Sequence, residues 1–109
     1  MNFSFVVLTY NHPEISTQCI QSLIRLKSSA PIFIVHNGSD PKHTKTLIEK
    51  FPQLNHLELS PNQGYSGGAN FGLRQAFKHF DHVLFLTNDT EILQLPLFPP
   101  SGFNAITIL

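Results

Sequence analysis

Strand-length apolar runs, separated by stretches with helical spacing, restrict the fold of this 109-residue chain more than any other feature. Phe3-Ser4-Phe5-Val6-Val7-Leu8-Thr9, Ile32-Phe33-Ile34-Val35 and His82-Val83-Leu84-Phe85-Leu86 are nearly all apolar and rich in β-formers. Such runs predict strands covered on both faces, as in a parallel sheet. After the first run, Pro13 suits the opening turn of a helix, and Ile15, Cys19, Ile20, Leu23 and Ile24 recur at helical spacing. Ser39 or Asp40 is placed to cap a second helix, with Pro41 just inside and Leu47, Ile48 and Phe51 on its apolar face. A short strand at 56–59 follows. A glycine-rich loop then leads into a helix carrying Leu73, Ala76, Phe77 and Phe80. The order βαβαβαβ predicts an α/β fold: a mostly parallel sheet with helices on both faces and right-handed crossovers. This unit fills residues 1–95. Residues 96–109 form a Pro-rich apolar tail, of which 103–109 has the composition of a further strand, so the domain reads as interrupted.

Composition excludes several classes. Seven basic and seven acidic residues cancel, leaving no electrostatic footprint for nucleic acid or an anionic membrane. A membrane-spanning helix needs about 20 apolar residues, and the longest runs are strand-sized. No basic segment precedes residues 3–8 and no small-residue cleavage site follows, so the default expectation is a cytoplasmic location. Cys19 is the single cysteine and shares a helical face with apolar residues, which predicts a packed thiol rather than a reactive one. The six histidines form no metal-binding spacing. His12 and His36 fall near strand ends that open on a crevice, whereas His43, His56, His79 and His82 read as surface or strand-end residues.

Sheets of this kind bind ligands outside the carboxyl ends of their strands. Four polar segments meet there: Thr9-Tyr10-Asn11, His36-Asn37-Gly38-Ser39, the stretch from Asn62-Gln63-Gly64-Tyr65 to Asn70-Phe71-Gly72, and Thr87-Asn88-Asp89. Glycines permit close approach of backbone to a ligand, a helix amino terminus attracts anions, and a carboxylate past a buried strand can hold a divalent cation. Together they predict a site for a metal-bound diphosphate. Plainer readings stand beside this one. The glycines can serve only a connection, Asp89 can cap a short helix, Asn70 can satisfy backbone groups, and Tyr65 can be a core aromatic. A dinucleotide-binding enzyme is disfavoured, because Thr9-Tyr10-Asn11-His12 lacks the glycines expected after a first strand.

Four motifs in order, Val6-Val7-Leu8-Thr9-Tyr10-Asn11, Val35-His36-Asn37-Gly38-Ser39, Asn62-x-Gly64-Tyr65 with Asn70-x-Gly72, and Leu86-Thr87-Asn88-Asp89, resemble the nucleotide-binding half of family 2 glycosyltransferases. These are inverting GT-A enzymes, and the likeness is greatest to their rhamnosyltransferase-like branch. It implies strand order 3-2-1-4 and a nucleotide-sugar-binding part over residues 1–95. It places Thr9, Tyr10 and Asn11 along base and ribose, and puts His36, followed by Asn37, where an acidic residue usually bonds the base. Gly64, Tyr65 and Asn70 would border the nucleotide. Asn88 and Asp89 fall on the metal motif, with Asp89 as the carboxylate facing Mg²⁺ or Mn²⁺. The implied donor is a UDP- or dTDP-linked sugar, and the implied acceptor is a glycan or lipid-linked saccharide, with a location that is cytoplasmic or membrane-peripheral. The family's acceptor half and general base lie beyond the metal motif, so an amino-terminal fragment is expected, without acceptor transfer of its own. A nucleotide-binding module with no turnover is the alternative. One pocket is expected to gather Thr9, Asn11, His36, Gly64 and Asp89.

Overall fold

The computed structural model describes residues 2–94 and 105–108. Its elements run β1 (Phe3–Thr9), α1 (Pro13–Arg25), β2 (Ile32–Asn37), α2 (Pro41–Lys50), β3 (Asn55–Leu59), α3 (Gly64–Ala76), β4 (His82–Thr87) and β5 (Ala105–Ile108). All strands pair in parallel, in the order β3-β2-β1-β4-β5. The expected order is present, and β5 extends it beyond β4. The remainder of the expected tail, residues 96–104 and 109, lies outside the described residues.

Strand alternation divides the interior into two cores. Phe5, Val7, Ile32, Ile34, Leu84 and Leu86 face one side, where Cys19, Ile20 and Leu23 of α1 and Leu47 of α2 cover them. Val6, Leu8, Val35, Val83 and Phe85 face the other side, against Ala69 and Ala76 of α3. The buried stripe of α1 is narrower than its periodicity suggests, since Ile15 and Ile24 remain exposed. Cys19 is packed in the core as expected. Burial, then the charge of Asp89, pushes its thiol up to about 12.

Asp40, not Ser39, caps α2: its carboxylate accepts from the Lys42 backbone N–H at 3.1 Å. The larger difference concerns the glycine segment. It is not a loop leading into a helix but the helix itself, which starts at Gly64 and ends before Phe77 and Phe80. A glycine inside a helix costs about 1 kcal/mol relative to alanine, so tertiary contact must offset it. A Cβ on Gly72 would lie 2.7 Å from Val35 Cγ2 and 2.8 Å from Val6 Cγ1. One on Gly68 would lie 2.6 Å from Asn37 Nδ2 and 2.7 Å from Leu8 Cδ1. These two glycines let α3 settle on β1 and β2; their close approach is to the sheet.

Candidate functional site

The chain builds β1, β2 and β3 outward, then returns to add β4 on the other side of β1. The crevice at that reversal, past the carboxyl ends of β1 and β4, is where ligands bind in open α/β sheets. A cavity of about 200 Å³ lies there, lined by Leu8, Tyr10, Asn37, Asn62, Gly64, Tyr65, Thr87 and Asn88. Five residues singled out from the sequence therefore meet: Tyr10, Asn37, Gly64, Tyr65 and Asn88. Tyr10 and Tyr65 are half-exposed, and Tyr65 also meets Phe85 edge-on at 6.0 Å. The cavity can take one ring against these aromatic walls, but it is below the roughly 300–1,000 Å³ typical of a full ligand cleft.

Asn37 organises this side. Its Oδ1 accepts from the Gln63 backbone N–H at 2.9 Å, and its Nδ2 donates to the Gly64 carbonyl at 2.9 Å. Its own carbonyl accepts from Asn62 Nδ2 at 2.7 Å. Asn62 Oδ1 in turn accepts from the Gly64 N–H at 2.7 Å, an Asx turn that delivers Gly64 at φ +74° to the start of α3. The N-cap Gln63 makes no side-chain cap bond, and Gly64 and Tyr65, the first residues of α3, line the cavity, so the helix start, whose first turn carries N–H groups without intrahelical partners, lies beside it. Asn62 received no role in the sequence reading, although an Asn two residues before Gly64 is the signal for this turn.

The other expected residues are placed elsewhere. Thr9 is buried and donates its hydroxyl to the Val35 carbonyl at 2.9 Å. Asn11 joins two loops: its N–H donates to Ser39 Oγ at 2.9 Å and its Oδ1 accepts from the Asp40 N–H at 2.8 Å. Asn70 is exposed on α3 and lines none of the cavities described here. Asp89 follows the cavity wall in sequence but stands outside it, exposed, with Oδ1 accepting from the Thr87 hydroxyl at 2.8 Å. No helix follows it among the described residues, which removes the helix-cap reading. Asn88 donates from Nδ2 to Ser16 Oγ at 2.9 Å, anchoring this loop to α1.

His36 does not share the cavity of Gly64. Alternation turns it to the α2 side of the sheet, where it lines a separate cavity of about 330 Å³ with Ser39, Thr44, Lys45, Glu58 and Ser60. The expected single pocket is thus two, one on each face. His36 is 1% exposed, and burial, then the neighbouring His56, pushes its pKa down to about 4. The His36 and His56 rings lie edge to edge, 15° from coplanar, with Nε2 of the first 2.8 Å from Nδ1 of the second. His56 is therefore an internal partner rather than a surface residue. His82 opens β4, in keeping with the strand-end reading, and is buried with Nε2 2.9 Å from Thr107 Oγ1.

No group of three or more His, Cys, Asp or Glu suited to a metal occurs among the described residues. A Mg²⁺ held by one carboxylate plus phosphate and water oxygens needs no such cluster, and the exposed Asp89 fits that role. No helix among the described residues is long and apolar enough to cross a membrane.

The fold and this crevice match known proteins. The crystal structure of S. aureus TarS superimposes with a TM-score of 0.68 and 29% sequence identity, over 82% of this chain and 17% of that one. The chain therefore spans about a sixth of the length of that protein. Among curated proteins no sequence matches significantly. Residues 4–95, most of the chain, match the family described as Glycosyl transferase family 2. With the parallel sheet and its order, that match means that this chain belongs to glycosyl transferase family 2.

Proposed function

We propose that the chain binds a nucleotide diphosphate sugar, UDP- or dTDP-linked, as the donor part of an inverting glycosyltransferase. The observation that carries this reading is the meeting of Tyr10, Asn37, Gly64, Tyr65 and Asn88 around one cavity, at the amino end of α3. The tyrosines offer aromatic faces to a ring, and the helix end offers N–H donors to phosphate. Asp89, just outside, would hold Mg²⁺ or Mn²⁺, which as a Lewis acid neutralises charge on a departing diphosphate. The base would extend toward His36 on the other side of β2.

Calorimetry with UDP and dTDP tests the reading. Binding should strengthen with Mn²⁺, and Asp89→Asn should remove only the metal's contribution. Nucleotide affinity indifferent to metal would take Asp89 out of the site.

Transfer to an acceptor is a separate matter. Among the described residues, the wall of this cavity contains neither carboxylate nor imidazole to deprotonate an attacking hydroxyl. Holding one reactant also forgoes the roughly 7–11 kcal/mol available from orienting both. This favours donor binding without acceptor-dependent turnover by these 109 residues, so a glycan or lipid-linked saccharide would be engaged by other polypeptide. Incubation with labelled nucleotide sugars and saccharide acceptors should yield no transfer beyond slow donor hydrolysis. Robust acceptor-dependent product would place a base within the chain.

A further inference from the structure

The segment that carries Asp89 is tied to α1 on both sides of the carboxylate. Thr87 to Thr90 form a β-turn, closed by the Thr90 N–H donating to the Thr87 carbonyl at 3.1 Å, with Asn88 and Asp89 as its central residues. Asn88 Nδ2 donates to Ser16 Oγ at 2.9 Å. The Ile92 N–H donates to Ser22 Oγ at 3.0 Å. Between the two serines, Cys19 Sγ lies 3.8 Å from the Thr87 carbonyl oxygen.

Ser16 and Ser22 are fully buried. A hydroxyl inside a helix packed on a sheet is unfavourable unless it is bonded, and alanine has the better helix propensity at such a position. What these serines supply is therefore direction: each fixes where one point of the loop stands. The bond at Asn88 is adjacent to Asp89. The carboxylate itself takes the Thr87 hydroxyl on Oδ1 at 2.8 Å, which leaves Oδ2 to a cation.

We propose that Ser16 is a positioning residue for metal binding: through Asn88 it holds the 87–90 turn so that the exposed Asp89 carboxylate stands where a divalent cation on a diphosphate takes it as a ligand. This rests on, and deepens, the proposal that Asp89 holds Mg²⁺ or Mn²⁺ beside a nucleotide diphosphate sugar. A lone carboxylate binds such a cation weakly, and useful affinity comes from carboxylate and phosphate oxygens acting on one ion together. They act together only as far as their separation is set beforehand. A turn that wanders must be ordered at the moment of binding, and that loss is subtracted from what the cation contributes. Asn88 serves here as the tether, since its amide nitrogen is committed to α1.

Calorimetry of UDP binding in Mn²⁺ and in EDTA tests the role of Ser16. In wild type, Mn²⁺ should strengthen binding. Ser16→Ala should leave the affinity in EDTA within about twofold of wild type and cut the strengthening by Mn²⁺ about fivefold, the factor that one hydrogen bond of ordinary worth supplies. The EPR signal of free Mn²⁺ in the presence of UDP reads the same loss directly. In an Asp89→Asn background, Ser16→Ala should change the response to Mn²⁺ no further. Ser22→Ala separates positioning from stability: it strands a buried backbone N–H and should lower stability to urea at least as much as Ser16→Ala, yet it acts three residues from Asp89 and should cut the Mn²⁺ effect less. A Mn²⁺ effect that instead follows urea stability across the two serine variants overturns the inference, because Ser16 would then be merely structural. So does an equal loss with and without metal, which would place its influence on the cavity wall. If Mn²⁺ strengthens binding equally in wild type and Ser16→Ala, the inference alone fails. If wild type shows no Mn²⁺ effect, the metal reading of Asp89 fails and the inference with it.

Discussion

His36 and Asn37 are consecutive, end the same strand and are both buried, yet they stand in opposite situations. Asn37 faces α3 with its amide oxygen, amide nitrogen and backbone carbonyl all bonded to residues 62–64. His36 faces α2 with one nitrogen bonded and the other without a partner among the described residues. A satisfied polar network fixes geometry, and an orphaned acceptor retains capacity for a ligand at a cost of about 1–3 kcal/mol. One residue of alternation thus separates a fully bonded structural anchor from a buried group with an unmet bonding capacity.

The largest effect should come from the anchor. Asn37→Ala strands the Gln63 N–H and the Gly64 carbonyl and leaves a small void, which together should cost roughly 3 kcal/mol in urea unfolding. A cost below about 1 kcal/mol would show that α3 does not depend on this side chain.

Acidification probes the other face. Unfolded His36 takes up a proton near its ordinary value of 6.5, and folded His36 only near 4. Between these values the unfolded chain binds more protons, so stability rises with pH and falls as pH drops through this window. The contribution of His36 should be a loss of roughly 3 kcal/mol, most of it reached by pH 4. Unfolding measured at several pH values should lose most of that slope in His36→Phe but keep it in Asn37→Ala. Equal slopes in the two variants would break the comparison.

Gly68→Ala sharpens it. The new Cβ presses on Asn37 Nδ2 and Leu8, so a cost of about 1–2 kcal/mol is expected. Combined with Asn37→Ala it should cost less than the sum, because the residue it crowds has gone. Strict additivity would mean that Leu8 alone resists the methyl.

The smallest effect belongs to neither face. Arg25 and Glu91 pair at 3.2 Å with both side chains mostly exposed, so Arg25→Ala should change stability by no more than about 0.5 kcal/mol. A larger loss would assign the loop after β4 more rigidity than its contacts suggest.

The βα alternation was legible in the sequence because buried parallel strands are written as unbroken apolar runs. The limits of β1 agree with the expectation, those of β3 and β4 differ by a single residue, and β2 runs two residues beyond Val35. The glycine segment misled, since local propensity reads Gly64, Gly67, Gly68 and Gly72 as a loop, and only the nearness of Val6 and Val35 makes a helix worth their cost. The division of the crevice is also legible in the sequence: period-two alternation alone puts His36 and Asn37 on opposite faces. The His36–His56 contact was not legible. It depends on the parallel register of β2 with β3, in which His56 pairs with Ile34, two residues before His36.

Asn11 has a consequence for how loops at this end of the sheet can vary. It sits at φ +52° and is tied at both its N–H and its side chain to Ser39 and Asp40, so the loops after β1 and β2 move as one body. A ligand touching either loop meets a rim that is already ordered, and binding incurs little of the entropy loss of stiffening a free loop. The same lacing makes loop length a shared property. An insertion after Tyr10 would displace the cap of α2 as well, whereas one at residues 27–29, at the opposite end of the sheet, leaves the crevice as it is.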